Sequence, residues 1–170
     1  LTKDNITDLE KVDEFLLRKI LCAPSKTPIE LLYLETATIP IKFILKSRRI
    51  NYLYHILTRD NTELISRVYH AQKRRPIRDD WYLSAKQDLE DLNIALTEDE
   101  IKSMSKIKFK SYIKEKVISA VFFDLLTTKA RHSKGSHILY NKFEKQQYLK
   151  SNSLTNDEKC LLFKLRASMT

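Results

Sequence analysis

Apolar residues recur along this chain at helical spacing. Leu9, Val12, Leu16 and Ile20 share one face at intervals of three and four, the repeat of an amphipathic helix. The same reading places Leu64, Ile65, Val68 and Tyr69 inward on another helix. It aligns Trp81, Ala85, Leu89 and Leu92 on a third, and Ile113, Val117, Val121 and Leu125 on a long one. The pattern predicts about eight helices, over roughly 7–21, 28–36, 40–57, 61–73, 79–94, 98–104, 106–130 and from 156 onward, with a weaker segment at 137–149.

Local start signals support these positions. A Ser or Thr N-cap with Glu three residues later forms a reciprocal capping box. That spacing occurs at Thr7/Glu10, Thr27/Glu30, Thr97/Glu100 and Thr155/Glu158, and more loosely at Asp60/Glu63. Pro28 and Pro40 stand where a first-turn proline belongs, since that amide has no helical partner. The chain has one glycine, Gly135, and four prolines in 170 residues. Turn-rich β folds need more glycine. The expectation is an all-α single domain, an irregular bundle of seven to eight helices over 1–170, with candidate seams at 73–80 and 131–136.

Charge changes the picture more than composition does. Net charge is +9. Residues 42–78 hold ten basic and two acidic side chains, 79–101 hold one and eight, and 102–151 hold twelve and three. Two basic blocks flank an acidic one. Such blocks suit a polyanion such as RNA or DNA. The other reading is that the acidic helix packs beside the basic ones and neutralises them.

Within the first basic block, Lys42, Lys46 and Arg49 fall at i, i+4 and i+7 and form a ridge. Arg48 and Tyr52 lie elsewhere around the same helix, and Ile50, Leu53, Tyr54 and Leu57 form its buried stripe. A basic ridge follows a phosphate backbone without reading sequence. Tyr52 and Tyr54 are the right residue type to stack on unpaired bases, but tyrosines at this spacing more often fill a core or its boundary. In "AQKRRPIRDDW", residues 71–81, Lys73, Arg74 and Arg75 end a helix and Pro76 breaks it. Asp79 and Asp80 open the next helix, where acids complement the dipole. Arg78 completes this second basic group.

Other chemistry finds little footing. His55, His70, His132 and His137 do not make a metal set, which needs three or four ligands. Cys22 and Cys160 stand far apart with no CxxC motif, and Cys160 reads as a small buried hydrophobe. One glycine rules out a Gly-rich phosphate loop, and no serine or cysteine nucleophile is flanked as such sites require. No catalytic residue, cofactor or metal is expected. No apolar run approaches a membrane span, and no signal peptide is visible. An intracellular protein, of nucleus or cytoplasm, is expected. The chain reads as a piece of a larger polypeptide.

The run "LLYLETATIPIKFILKSRRINYLYHILTRDNTELISRVYHAQKRRPIRDDW" resembles the region downstream of the reverse transcriptase domain in LINE-type (non-LTR) retrotransposon polyproteins. The frame is carried by Leu34-Glu35-Thr36, Ile39-Pro40-Ile41-Lys42, Arg48-Arg49, His55-Ile56-Leu57, Arg59, Glu63-Leu64, Ala71-Gln72 and Asp80-Trp81. "MSKIKFKSYIKEK", "KARHSKGSHILYNKFEKQQYLKS" and "EKCLLFKLRASM" extend it over nearly the whole chain. The family often has Gly where Ala37 stands, so Ala37 argues against a tight left-handed turn there. The resemblance implies a non-catalytic, thumb-adjacent linker beside the polymerase domain of the same polypeptide, helping to hold template RNA or target DNA. Lys42, Lys46, Arg48 and Arg49 would then contact phosphates, with Lys73, Arg74, Arg75 and Arg78 as a second grip. The alternative is a protein-interaction or scaffolding module, including one domesticated from such an element.

Overall fold

The structure, a computed structural model, describes residues 3–78, 80–129 and 138–168. Asp79 and the 131–136 loop, with His132, Gly135 and the adjoining His137, lie outside the described residues. Among the described residues there are nine helices and no strand: α1 (Lys3–Leu21), α2 (Ile29–Thr36), α3 (Ile41–Leu57), α4 (Leu64–Arg74), α5 (Trp81–Asp91), α6 (Glu98–Ser103), α7 (Lys106–Lys129), α8 (Gln147–Lys150) and α9 (Asn156–Ser168). The fold is all-α, as the spacing predicts. No helix among them is long and apolar enough to cross a membrane.

The chain divides into two compact units, Leu1–Lys42 with Val121–Thr170, and Phe43–Ala120. In the first, α1 packs on α2 and α9, and α8 on α9. Helix α2 is buried from Glu30 to Glu35, so it needs cover on several sides. The α1 face that covers it carries Leu17 and Leu21. This corrects the expected inward stripe, because Leu9, Val12, Leu16 and Ile20 are 42–65% exposed. Helix α1 has apolar residues on two faces, and polar anchors choose between them. Tyr33 Oη donates to Asp13 at 2.9 Å. Arg18 bonds to Glu14, Pro24 O and Thr27 O. Those bonds turn Leu17 inward and leave Leu16 outside.

Glu35, 1% exposed, is the polar centre of this unit. Its carboxylate accepts from Tyr140 Oη, from Tyr148 Oη at 2.7 Å, and from Arg166 Nε at 3.1 Å and Nη2 at 3.0 Å. Its carbonyl accepts the Gln146 amide at 3.0 Å. Burial of a carboxylate is tolerated when its lone pairs are filled in this way. These long-range bonds also explain a second correction. The expected helix at 137–149 shrinks to Gln147–Lys150, because the chain before it runs without helix where Tyr140 and Gln146 reach Glu35.

In the second unit the core holds Ile50, Leu53, Ile56, Leu57, Tyr69, Leu92, Ile101, Phe109 and Ile113. Helix α4 packs on α5, and Trp81 takes edge contacts from Tyr52 and Tyr69. The expected inward face of α4 is half corrected. Tyr69 is buried, but Leu64 is 74% and Val68 47% exposed. The hydrogen bond from Tyr69 Oη to Glu98 at 2.8 Å fixes that rotation. On α7 the expected stripe of Ile113, Val117, Val121 and Leu125 is buried, with Phe109 ahead of it.

The capping signals divide in the same way. Thr97 and Glu100 form a full capping box, and Thr155 and Glu158 exchange the same bonds. Thr7 lies inside α1, which starts earlier. Pro28, not Thr27, occupies the N-cap of α2. Asp60 accepts from the Thr62 amide and hydroxyl in a turn, and α4 starts later with Glu63 at its N-cap. Ala37 ends α2 at φ 51°, ψ 37°, so the left-handed turn forms despite its Cβ. The amides of Ala37 and Thr38 both reach Tyr33 O, which satisfies the helix end.

Candidate nucleic-acid interface

Lys42 Nζ lies 2.9 Å from Asp124, and Lys46 pairs with Asp91. Arg49 Nη1 donates to Asp88 at 2.7 Å and to Ser84 O at 3.3 Å. Lys73 Nζ lies 2.6 Å from Glu98. Three of these four expected phosphate contacts, Lys46, Arg49 and Lys73, are thus held by acids of the 79–101 block. The neutralising arrangement that the charge pattern left open is present in the second unit.

The titration of these acids reflects that packing. Burial pushes Asp88 above the ordinary carboxylate range, against the pull of Arg49 and Lys46. Burial also acts upward on Glu98, but hydrogen bonds from Lys73 and Tyr69 outweigh it and hold the carboxyl below its usual range. Asp91 is held low in the same way by Lys46 and Gln87, against burial.

Arg48 is different. It is exposed and forms no ion pair with any of the described acids. It lines a concave surface of about 350 Å³ with Asn51, Tyr52, Tyr54, His55, Thr58, Lys106 and Lys110. No carboxylate lines this surface, and Lys106 and Lys110 are likewise exposed and unpaired among the described residues. The geometry follows from two helices. On α3, Arg48, Tyr52 and His55 succeed one another at i, i+4 and i+7, so they share a face. On α7, Lys106 and Lys110 are one turn apart in its first two turns.

The two tyrosines separate cleanly. Tyr54 Oη donates to Met104 O at 2.9 Å, and its ring stacks on Phe109 at 4.8 Å. It is a packing residue. Tyr52 is 46% exposed and stacks against His55 at 5.9 Å with the rings 28° apart. Of the two tyrosines it is the exposed one. Sequence reasoning set Arg48 and Tyr52 apart from the ridge but did not join them to Lys106 and Lys110. The joining signal, an i, i+4 lysine pair opening α7, was readable; its approach to α3 was not.

The second basic group is less concentrated. Arg74 and Arg75 are exposed and unpaired among the described residues. Arg74 shares an open surface of about 470 Å³ with Asn61, Arg67, His70 and Ala71. Arg78 is exposed. Asp80 stands at the N-cap of α5, but its carboxylate turns back to accept the Ile77 amide at 2.9 Å. That bond fixes the turn after Pro76, so this aspartate is structural. No three His, Cys, Asp or Glu side chains among the described residues gather as a metal site would require. No protein-family model, curated protein or solved structure matches this chain.

Proposed function

We propose that this protein is a non-catalytic, nucleic-acid-binding helical region of a non-LTR retrotransposon reverse transcriptase, acting beside the polymerase domain and helping to hold template RNA or target DNA. The observation that carries the binding reading is the concave face of Arg48, Lys106 and Lys110 with the exposed Tyr52 and His55. Three cations without an acid partner among the described residues can meet phosphates, and the exposed Tyr52 that lines the same surface can stack on an unpaired base. The retrotransposon part of the reading rests on the motif run from Leu34 to Trp81. The experiment is a titration of a labelled single-stranded RNA and a DNA duplex with the protein over a range of salt. Affinity falling steeply with salt supports the reading, and no binding at low salt overturns it.

A scaffolding role is favoured by a different observation. Leu9, Val12, Phe15, Leu16 and Ile20 leave an apolar face of α1 open, of the kind that marks contact with another protein. Binding of a protein partner without binding of RNA or DNA would favour it.

A further inference from the structure

The two cysteines, 138 positions apart in the chain, meet at the C-terminal end of α1. Cys22 ends that helix in a left-handed conformation, φ 48°. Its amide bonds to Lys19 O at 3.3 Å, and the Ala23 amide to Arg18 O at 2.9 Å. Glycine is the usual residue at such a helix end, and a side chain held there is an outlier that invites a functional reading. The Cys22 thiol points to Lys19 O at 3.9 Å. From α9, the Cys160 thiol points to Ile20 O, the next carbonyl of the same turn, at 3.7 Å. Lys19 O and Ile20 O are successive carbonyls, so the two thiols face the same turn of α1. Both are free thiols, Cys22 exposed and Cys160 buried.

We propose that Cys22 and Cys160 form a redox modification site that takes a low-molecular-weight disulfide, of the glutathione disulfide class, as its oxidant. The exposed Cys22, as thiolate, attacks one sulfur of the oxidant; a mixed disulfide forms and one thiolate leaves. Cys160 then loses its proton to solvent, its sulfur attacks Cys22 Sγ, and the second thiolate leaves. The protein gives up two electrons and two protons, and the oxidant becomes two thiols. Burial, and then Cys22, push the Cys160 thiol up to about 11, which suits it to the second, intramolecular step rather than to attack on free oxidant. The product ties the end of α1 to α9 within the first unit.

The test is incubation of the native full chain with glutathione disulfide, then tryptic mapping without reductant. The expected result is a linked pair of peptides, Ile20–Lys26 with Cys160–Lys164, lighter by two hydrogens and abolished in both Cys22→Ser and Cys160→Ala. Closing so long a loop should also raise Tm by about 10 °C in a manner reversed by dithiothreitol. Three results would overturn the proposal: a stable glutathione adduct on Cys22 with Cys160 still free, a Cys22–Cys22 dimer, or a linked product with no rise in Tm. Cys22→Ser removes an exposed thiol only, so its loss of the linked peptide is read on a folded protein.

Discussion

Arg48 and Arg49 are neighbours in the chain and turn to different surroundings: Arg49 lies 2.7 Å from the buried carboxylate of Asp88, while Arg48 stands exposed beside Lys106 and Lys110. One arginine holds the fold and the other is open to a ligand. Arg49→Ala leaves Asp88 buried without its main partner, so it should cost about 2–3 kcal/mol in a urea unfolding curve. Arg48→Ala should stay within about 0.5 kcal/mol of the parent. Equal costs would contradict the division.

Glu35 should be the most sensitive polar position in the first unit. Glu35→Ala removes the shared acceptor of Tyr140, Tyr148 and Arg166. A loss of about 3–5 kcal/mol is expected from thermal unfolding. Loss below about 1 kcal/mol would mean that water replaces the carboxylate without cost.

Ala37 adopts a conformation that glycine takes without steric penalty. Ala37→Gly should therefore stabilise the protein by about 1 kcal/mol, the reverse of the usual effect of glycine. A fall in Tm would show that the left-handed turn is not populated as described.

The Lys73–Glu98 contact sets an acid limb in stability. Glu98 is held below its ordinary value of 4.5. A depressed carboxylate stabilises fully above its unfolded pKa, and that contribution is lost as pH falls through the folded one. Lys73→Ala should raise the Glu98 titration midpoint, followed by carboxyl NMR, and weaken the pH dependence of stability below about pH 4.5. An unmoved midpoint would contradict the role given to Lys73.

Helix positions were legible from spacing and caps, down to the capping box at Thr97 and the stripe from Ile113 to Leu125. Which face of a helix turns inward was less so. Helix α1 offers Leu16 and Leu17 in succession, and periodicity alone does not choose; the Tyr33–Asp13 bond from another helix does. The same holds for Val68 and Tyr69 on α4, decided by Glu98. The segment before α8 shows tertiary hydrogen bonding to Glu35 overriding a helical pattern. The alternating charge blocks leave intramolecular pairing open as the second of two readings, and nothing in them singles out Lys46, Arg49 and Lys73 or spares Arg48.

The most direct test compares two variants in the salt dependence of RNA and DNA binding. One carries Arg48→Ala, Lys106→Ala and Lys110→Ala; the other carries Lys46→Ala, whose lysine is paired with Asp91. Each lost phosphate contact lowers the log–log slope by about 0.7–0.9. The account predicts that the triple variant loses about 2–3 units of slope while Lys46→Ala keeps the parental value. An unchanged slope in the triple variant, or a loss confined to Lys46→Ala, would contradict it.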